Sequence, residues 1–281
     1  TGNACVVKPS EAAPATVVEL AECLMEAGVP PGVCNVVTGP GEAAARLASH
    51  DKVAKLDFTG GTRVGRLLGA AAVGKHYCAE LGGNAPVVVF DDADLEEAVN
   101  GVAFAAFVAA GQTCVSAKRI LIQASIFPSF VERLVVTAAG LRMGDPFDDR
   151  THDARAAVQA HVDRAREQGV SVLAGGGPPS PERCSLQQGS YFEPTVLSNV
   201  ESRFDCFQDE IFGPVVSVVP FRDEDHAQSL ANDNVYALGA AVYTSNLKRA
   251  HRFAPRLNAG VVWLNTHHRN APDAPWGGFG H

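Results

Sequence analysis

Phe58-Thr59-Gly60-Gly61-Thr62-Arg63-Val64-Gly65 decides the reading of the fold. The run Val53–Phe58 predicts a strand, two adjacent glycines interrupt it, and a helical pattern follows from about Thr62 to Ala72. Strand, glycine turn and helix in that order build a parallel α/β layer. Glycines at such a turn let a phosphate approach backbone N–H groups at a helix N-terminus, where the helix dipole favours negative charge. They also serve strand-to-helix turns for steric reasons alone, and the spacing is not G-x-G-x-x-G.

Upstream, the same alternation continues. Ala4-Cys5-Val6-Val7 reads as a buried strand, and Val17, Leu20, Ala21, Leu24 and Met25 recur at helical spacing until Gly28, with Pro30 just beyond. Cys34-Asn35-Val36-Val37 is a second strand and the stretch near 42–49 a short helix. This β-α-β-α-β-α order predicts one parallel sheet with helices on its faces and ligand at the carboxyl ends of its strands. Downstream of Glu80-Leu81-Gly82-Gly83, strands are expected at 86–90, 118–123, 170–174, 214–221, 240–243 and 261–264. Helices are expected from Asp94 through Ala106, where Asp94 and Glu97 form a capping box and Gly111 ends the run, and over 125–139 and 151–168. The Gly- and Pro-rich stretch 175–190 reads as a surface loop. Two domains are expected, 1–82 and 83–281. The sequence opens at Thr1 directly before an apolar run and closes at His281 inside a glycine-rich stretch, so it reads as an internal piece of a longer protein.

Composition narrows the function. Among 281 residues, 23 Lys and Arg stand against 31 Asp and Glu, a net charge of −8, which disfavours a nucleic-acid or anionic-membrane binder because either needs basic patches. Hydrophobic residues at 46% and charged residues at 19% suit a folded core and exclude disorder. The longest apolar run, Val102–Ala110, is too short to cross a bilayer. Seven cysteines with no CxxC pair and no basic, then apolar, leader predict a reducing, cytoplasmic setting.

Two residues carry candidate chemistry. Cys114, in Gly111-Gln112-Thr113-Cys114, sits in a polar turn just past a helix, unlike Cys5, Cys23 and Cys34, which are expected to be small buried hydrophobes. A thiol of pKa about 8.5 is roughly 3% thiolate at pH 7 and already a competent nucleophile. Glu80, in Ala79-Glu80-Leu81-Gly82-Gly83, places a carboxylate at an apolar strand end, where burial would raise its pKa and suit a general base. A strand-end Glu paired with a Lys is the structural alternative. The nine histidines show no metal-ligand spacing, and His267-His268 reads as a polar loop.

Taken in order, Gly2-Asn3, Lys8-Pro9-Ser10-Glu11, Phe58-Thr59-Gly60, Glu80–Gly83, Gly111–Cys114, Glu210-Ile211-Phe212-Gly213-Pro214, Trp263-Leu264-Asn265 and Pro275–Gly280 strongly resemble the aldehyde dehydrogenase superfamily. The resemblance runs the whole length, including the 34 positions from Glu80 to Cys114. It implies an α/β fold with a partial Rossmann-type cofactor domain and an α/β catalytic domain. By match, Cys114 resembles the nucleophile and Glu80 the base that activates water. Lys8 and Glu11 match positions on the adenosine ribose, Gly60 and the turn after it the pyrophosphate site, and Glu210 the nicotinamide ribose, with Phe212 beside it. Ser10, Thr59, Gly61, Gly65, Leu81 and Gly82 fall along the same dinucleotide. A carboxylate at Glu11 would bond a 2′-hydroxyl and repel a 2′-phosphate, favouring NAD over NADP.

The implied reaction oxidises an aldehyde to an acid through a thiohemiacetal and a thioester on Cys114, without metal. A homodimer or homotetramer is expected of the longer protein. The family's oxyanion-donating Asn lies in a Pro-Trp-Asn motif upstream of Thr1; losing such a donor costs about 10²–10³ in rate, so this piece alone is expected to be weak or inactive. Gly61 stands where the family commonly has Ser, Asn84 where Lys is common, and Ala237 where Gly is common. Thr113 and Val115, both modest in size, suggest a pocket mouth open to large substrates, and Thr266–Asn270 is polar where many relatives place an aromatic contact. A thiol esterase and a catalytically silent dehydrogenase-like subunit are the alternatives.

Overall fold

The apolar runs take up the predicted alternation in a computed structural model that describes residues 2–144, 152–184 and 189–279. Two compact units emerge, Thr1–Leu81 and Gly82–His281.

The first unit runs β1 (Cys5–Val7), α1 (Ala15–Glu26), β2 (Cys34–Val36), α2 (Gly41–Ser49), β3 (Lys55–Thr59), α3 (Thr62–Ala71) and β4 (His76–Glu80). All pairing is parallel, as the β-α-β order demands, but it forms two separate pairs, β1–β2 and β3–β4, where one continuous sheet was expected. The strands of the first pair are three residues long and bury no side chain fully, and α1 buries none. A strand that buries neither face lacks the apolar contacts that hold a central parallel strand in a sheet. The same exposure corrects two expectations. Ala4–Val7 is not buried, and Cys5 and Cys23 are exposed while Cys34 is half-buried; the buried cysteines are Cys184 and Cys206 of the second unit.

The second unit is built on a sheet of order β11-β10-β5-β6-β9-β8-β7. Its elements are β5 (Ala85–Val89), α4 (Leu95–Phe107), β6 (Ala117–Gln123), α5 (Phe127–Gly140), α6 (His152–Glu167), β7 (Ser171–Ala174), β8 (Thr195–Ser198), α7 (Asp205–Gln208), β9 (Val215–Phe221), α8 (Glu224–Asn232), β10 (Gly239–Tyr243), α9 (Leu247–Phe253) and β11 (Val261–Leu264). Only β7 runs antiparallel among the described strands. Alternation along each strand splits the core. Val87, Val89, Ile120 and Ile122 face α4 and α5, while Val88, Leu121 and Val219 share the other layer with Val162, Phe207 and Phe253. A sheet covered on both faces reads in sequence as a mainly apolar run, which is why β5 and the apolar stretches of β6 and β9 were legible.

The helix α4 opens as expected, with the Asp94 carboxylate accepting from the Glu97 N–H at 2.9 Å. It ends earlier than Gly111. Past Phe107 the chain turns through Ala109 (φ 51°), Ala110 (φ 54°) and Gly111 (φ 68°), three consecutive left-handed residues ahead of the cysteine. The strand β8 and the helices α7, α8 and α9 were not read from sequence; each is short. Thr151 and residues 185–188 of the expected surface loop lie outside the described residues, as does Gly280 of the last motif.

Candidate active site

In the first unit the predicted residues collect at the carboxyl ends of the strands. Lys8 follows β1 directly, and its ammonium bonds the Glu11 carboxylate at 2.9 Å. That hydrogen bond, helped by the backbone and by the Lys8 charge, holds Glu11 below the usual carboxylate range, so this exposed group is ionised at neutral pH. Ser10 shapes the turn between them: its hydroxyl accepts from the Ala12 N–H at 3.3 Å and its carbonyl from the Ala13 N–H at 3.2 Å.

Thr59 and Glu80 are register partners at the ends of β3 and β4, and the Gly60 N–H donates to the Glu80 carbonyl at 3.0 Å. The glycine turn therefore lies beside the half-buried Glu80. Gly61 is the N-cap of α3, with no side chain capping the helix and open space where a Cβ would stand. The Thr62 hydroxyl in the first turn is buried without a hydrogen-bond partner. Uncapped N–H groups, an open glycine and an orphaned hydroxyl at one helix start suit a phosphate. Gly65 has a different origin: a Cβ there would sit 2.3 Å from Leu81 Cδ2, so it allows α3 to pack against Leu81.

In the second unit three turns meet at the amino ends of neighbouring strands. Gly82-Gly83 precedes β5, Gly111–Cys114 precedes β6, and Glu210–Gly213 precedes β9, and β5, β6 and β9 are adjacent and parallel. Gly83 joins all three. A Cβ on it would lie 2.0 Å from the Cys114 carbonyl oxygen, and its N–H donates to the Glu210 carboxylate at 3.0 Å. Burial raises the Glu210 pKa above the carboxylate range, opposed by the Gly83 hydrogen bond and by the charge of Lys118. Phe212 is exposed beside it, and Cys114 is half-buried.

Sequence reading missed Lys118. Its buried ammonium donates to the Gly111 carbonyl at 2.7 Å and to the Gly213 carbonyl at 2.6 Å, linking the cysteine turn to the Glu210 loop. The available signal was a Lys-Arg pair, Lys118-Arg119, opening a strand whose centre, Ile120–Ile122, is apolar. Asn84 and Arg119 brace the same region. The Asn84 amide donates to the carbonyls of Phe207, Gln208 and Asp209, and the fully buried Arg119 donates to those of Asn84, Leu230 and Ala231.

Two expectations near Cys114 need correction. Val115 is buried in the core and lines no mouth, because it packs where Gly239 and Trp263 meet. His267-His268 is not a plain polar loop. His267 is buried and stacks on Trp263 at 4.6 Å between ring centroids. His268 Nε2 lies 3.0 Å from the Thr113 hydroxyl, which is 2.7 Å from that of Ser116. Burial lowers both imidazole pKa values, that of His267 to about 3, with the His268 charge a lesser cause.

Comparison with known proteins identifies the family. The chain matches the profile of the Aldehyde dehydrogenase family over residues 1–281. It is 39% identical to a betaine aldehyde dehydrogenase of Rhizobium etli, over 99% of this chain and 58% of that protein, and 38% identical to one of Brucella melitensis with the same coverage. Among solved structures, betaine aldehyde dehydrogenase from Staphylococcus aureus in complex with NAD+ superposes with a TM-score of 0.95 at 35% identity, covering 100% of this chain and 57% of that one. PnpE from Pseudomonas sp. WBC-3 matches with a TM-score of 0.95 at 40% identity, over 99% and 59%, and is also known in complex with nicotinamide adenine dinucleotide. The chain thus spans about 58% of the length of the curated relatives it matches.

Proposed function

The chain belongs to the aldehyde dehydrogenase family, and from that premise we propose that the whole protein oxidises an aldehyde to a carboxylic acid with NAD as hydride acceptor. The observation that carries this reading is Gly83, whose backbone lies against the Cys114 carbonyl while its N–H holds the Glu210 carboxylate. A nucleophile and a sugar-binding carboxylate are thereby fixed on one peptide unit.

Cys114 adds to the aldehyde carbon as a thiolate, forming a tetrahedral adduct whose oxyanion requires donors. The dinucleotide, when bound, supplies the hydride acceptor. The thioester left on Cys114 is hydrolysed by water from which Glu80 takes a proton, releasing the acid and the free thiol. Lys8 and Glu11 hold the hydroxyls of one ribose and Glu210 those of the other. The uncapped start of α3, with Gly60, Gly61 and the orphaned Thr62 hydroxyl, holds the pyrophosphate. An ionised Glu11 repels a 2′-phosphate, which supports NAD over NADP. Residues 1–82 serve as the cofactor domain and 83–281 as the catalytic domain.

The test uses the full-length protein and follows NADH absorbance across aldehydes from short aliphatic to quaternary-ammonium ones, the latter because the relatives are betaine aldehyde dehydrogenases. Cys114→Ser should lower turnover at least about 10³-fold. Absence of NADH from every aldehyde, with Cys114 still alkylated by iodoacetamide, would sink the reading.

A further inference from the structure

Lys118 stands near the start of β6, the strand between β5 and β9, and its side chain is almost wholly buried. The turn ahead of β6 and the loop ahead of β9 touch main chain to main chain: a Cβ on Gly111 would lie 2.3 Å from the Gly213 carbonyl oxygen. No side chain at Gly111 or Gly213 can fill that contact. Instead the carbonyls of both residues turn toward one ammonium, at 2.7 and 2.6 Å. Two carbonyl oxygens drawn that close repel each other unless a donor sits between them, and an ammonium does this with charge-assisted hydrogen bonds, about twice as strong as neutral ones. The two linked segments carry Cys114 and Glu210.

We propose that Lys118 is a positioning residue that sets the spacing between the Cys114 turn and the Glu210 loop, an inference that rests on reading both as parts of one aldehyde-oxidising site. Burying an ammonium away from water is costly, so the position is not explained by packing alone. The cost is visible in its pKa, pulled down to about 7 by burial against the attraction of Glu210. The same attraction acts in return on Glu210, where the Lys118 charge favours the carboxylate that accepts from Gly83. The Lys118 ammonium is engaged by two main-chain carbonyls, so its effect on the site is indirect. It acts through Gly111 on the nucleophile and through Gly213 and Glu210 on the ribose carboxylate.

Hydrogen exchange read by mass spectrometry tests this on the full-length protein without nucleotide. Lys118→Met removes the donors at nearly constant length, and Lys118→Gln keeps an amide donor on a shorter stem. In Lys118→Met, segments 108–116 and 208–214 should exchange together about ten-fold faster, the effect of losing one charge-assisted hydrogen bond. Segments 119–122 and 216–219 should keep wild-type protection, and Lys118→Gln should fall between the two. In turnover, KM for NAD should rise about ten-fold while kcat falls less, since the ribose carboxylate is released with its loop. Unchanged exchange in both turns, loss spread evenly over β5, β6 and β9, unchanged KM for NAD, or unfolding of both variants would overturn the proposal. Coupled exchange in a protein that forms no NADH would sink the aldehyde dehydrogenase reading while leaving the Lys118 link in place.

Discussion

His267 shows how one residue stores pH dependence. It stacks on Trp263, its Nε2 is buried without a partner, and its pKa falls to about 3 through burial. In the unfolded chain the same imidazole titrates near 6.5. Between those values the unfolded state binds the extra proton, so stability present above about pH 6.5 is lost as pH falls toward 3. His267→Gln should flatten that acid slope, measured as the difference between urea unfolding free energies at pH 7 and pH 5. An equal slope in wild type and variant would show that the imidazole titrates in the fold as it does in the unfolded chain. The histidine pair also marks the limit of reading residues one at a time. Two adjacent polar residues after Asn265 look like an exposed loop, and only the neighbouring Trp263 ring makes one of them a buried stack.

At the scale of elements, the passage from α4 to β6 is the most strained in the described chain. Ala109 and Ala110 take left-handed backbone angles, which cost a residue with a Cβ about 1–2 kcal/mol each, where glycine is indifferent. Ala109→Gly should therefore stabilise the protein by about 0.5–1 kcal/mol, net of the entropy glycine loses on folding. A thermal melt should move up by roughly 2–4 °C for each kcal/mol gained. A variant that melts lower would mean that neighbouring contacts, and not backbone preference, hold the turn. The strained turn leads straight into Gly111, whose carbonyl Lys118 binds, so the nucleophile stands on backbone fixed by its surroundings more than by local preference.

At the scale of the whole molecule, the two units differ in how much they bury. In the first, α1 has no buried residue, and Leu20, Met25, Leu67 and Val73 are exposed. In the second, β5, β8 and β10 are buried along their full lengths. Backbone hydrogen bonds with few apolar contacts around them open first. In the 281-residue chain, amides of β1, β2 and α1 should therefore exchange at lower opening free energy than those of β5, β6 and β9. Uniform protection across both units would show a single cooperative fold.

Most of the longer elements, the glycine turn, the cysteine turn and the family resemblance were legible in sequence, because apolar periodicity and short motifs are local properties of the chain. The same locality explains the failures. Cys5 and Val6 have the composition of a buried strand and are exposed, since burial depends on what packs over them. Lys118 looks like the polar edge of a strand until β9 arrives beside β6 and brings the Gly213 carbonyl to its ammonium. Three turns, ahead of positions 85, 117 and 215, meet because β5, β6 and β9 are neighbours in the sheet. That neighbourhood is chosen by the burial of both sheet faces at once, a sum over distant residues that no single segment carries.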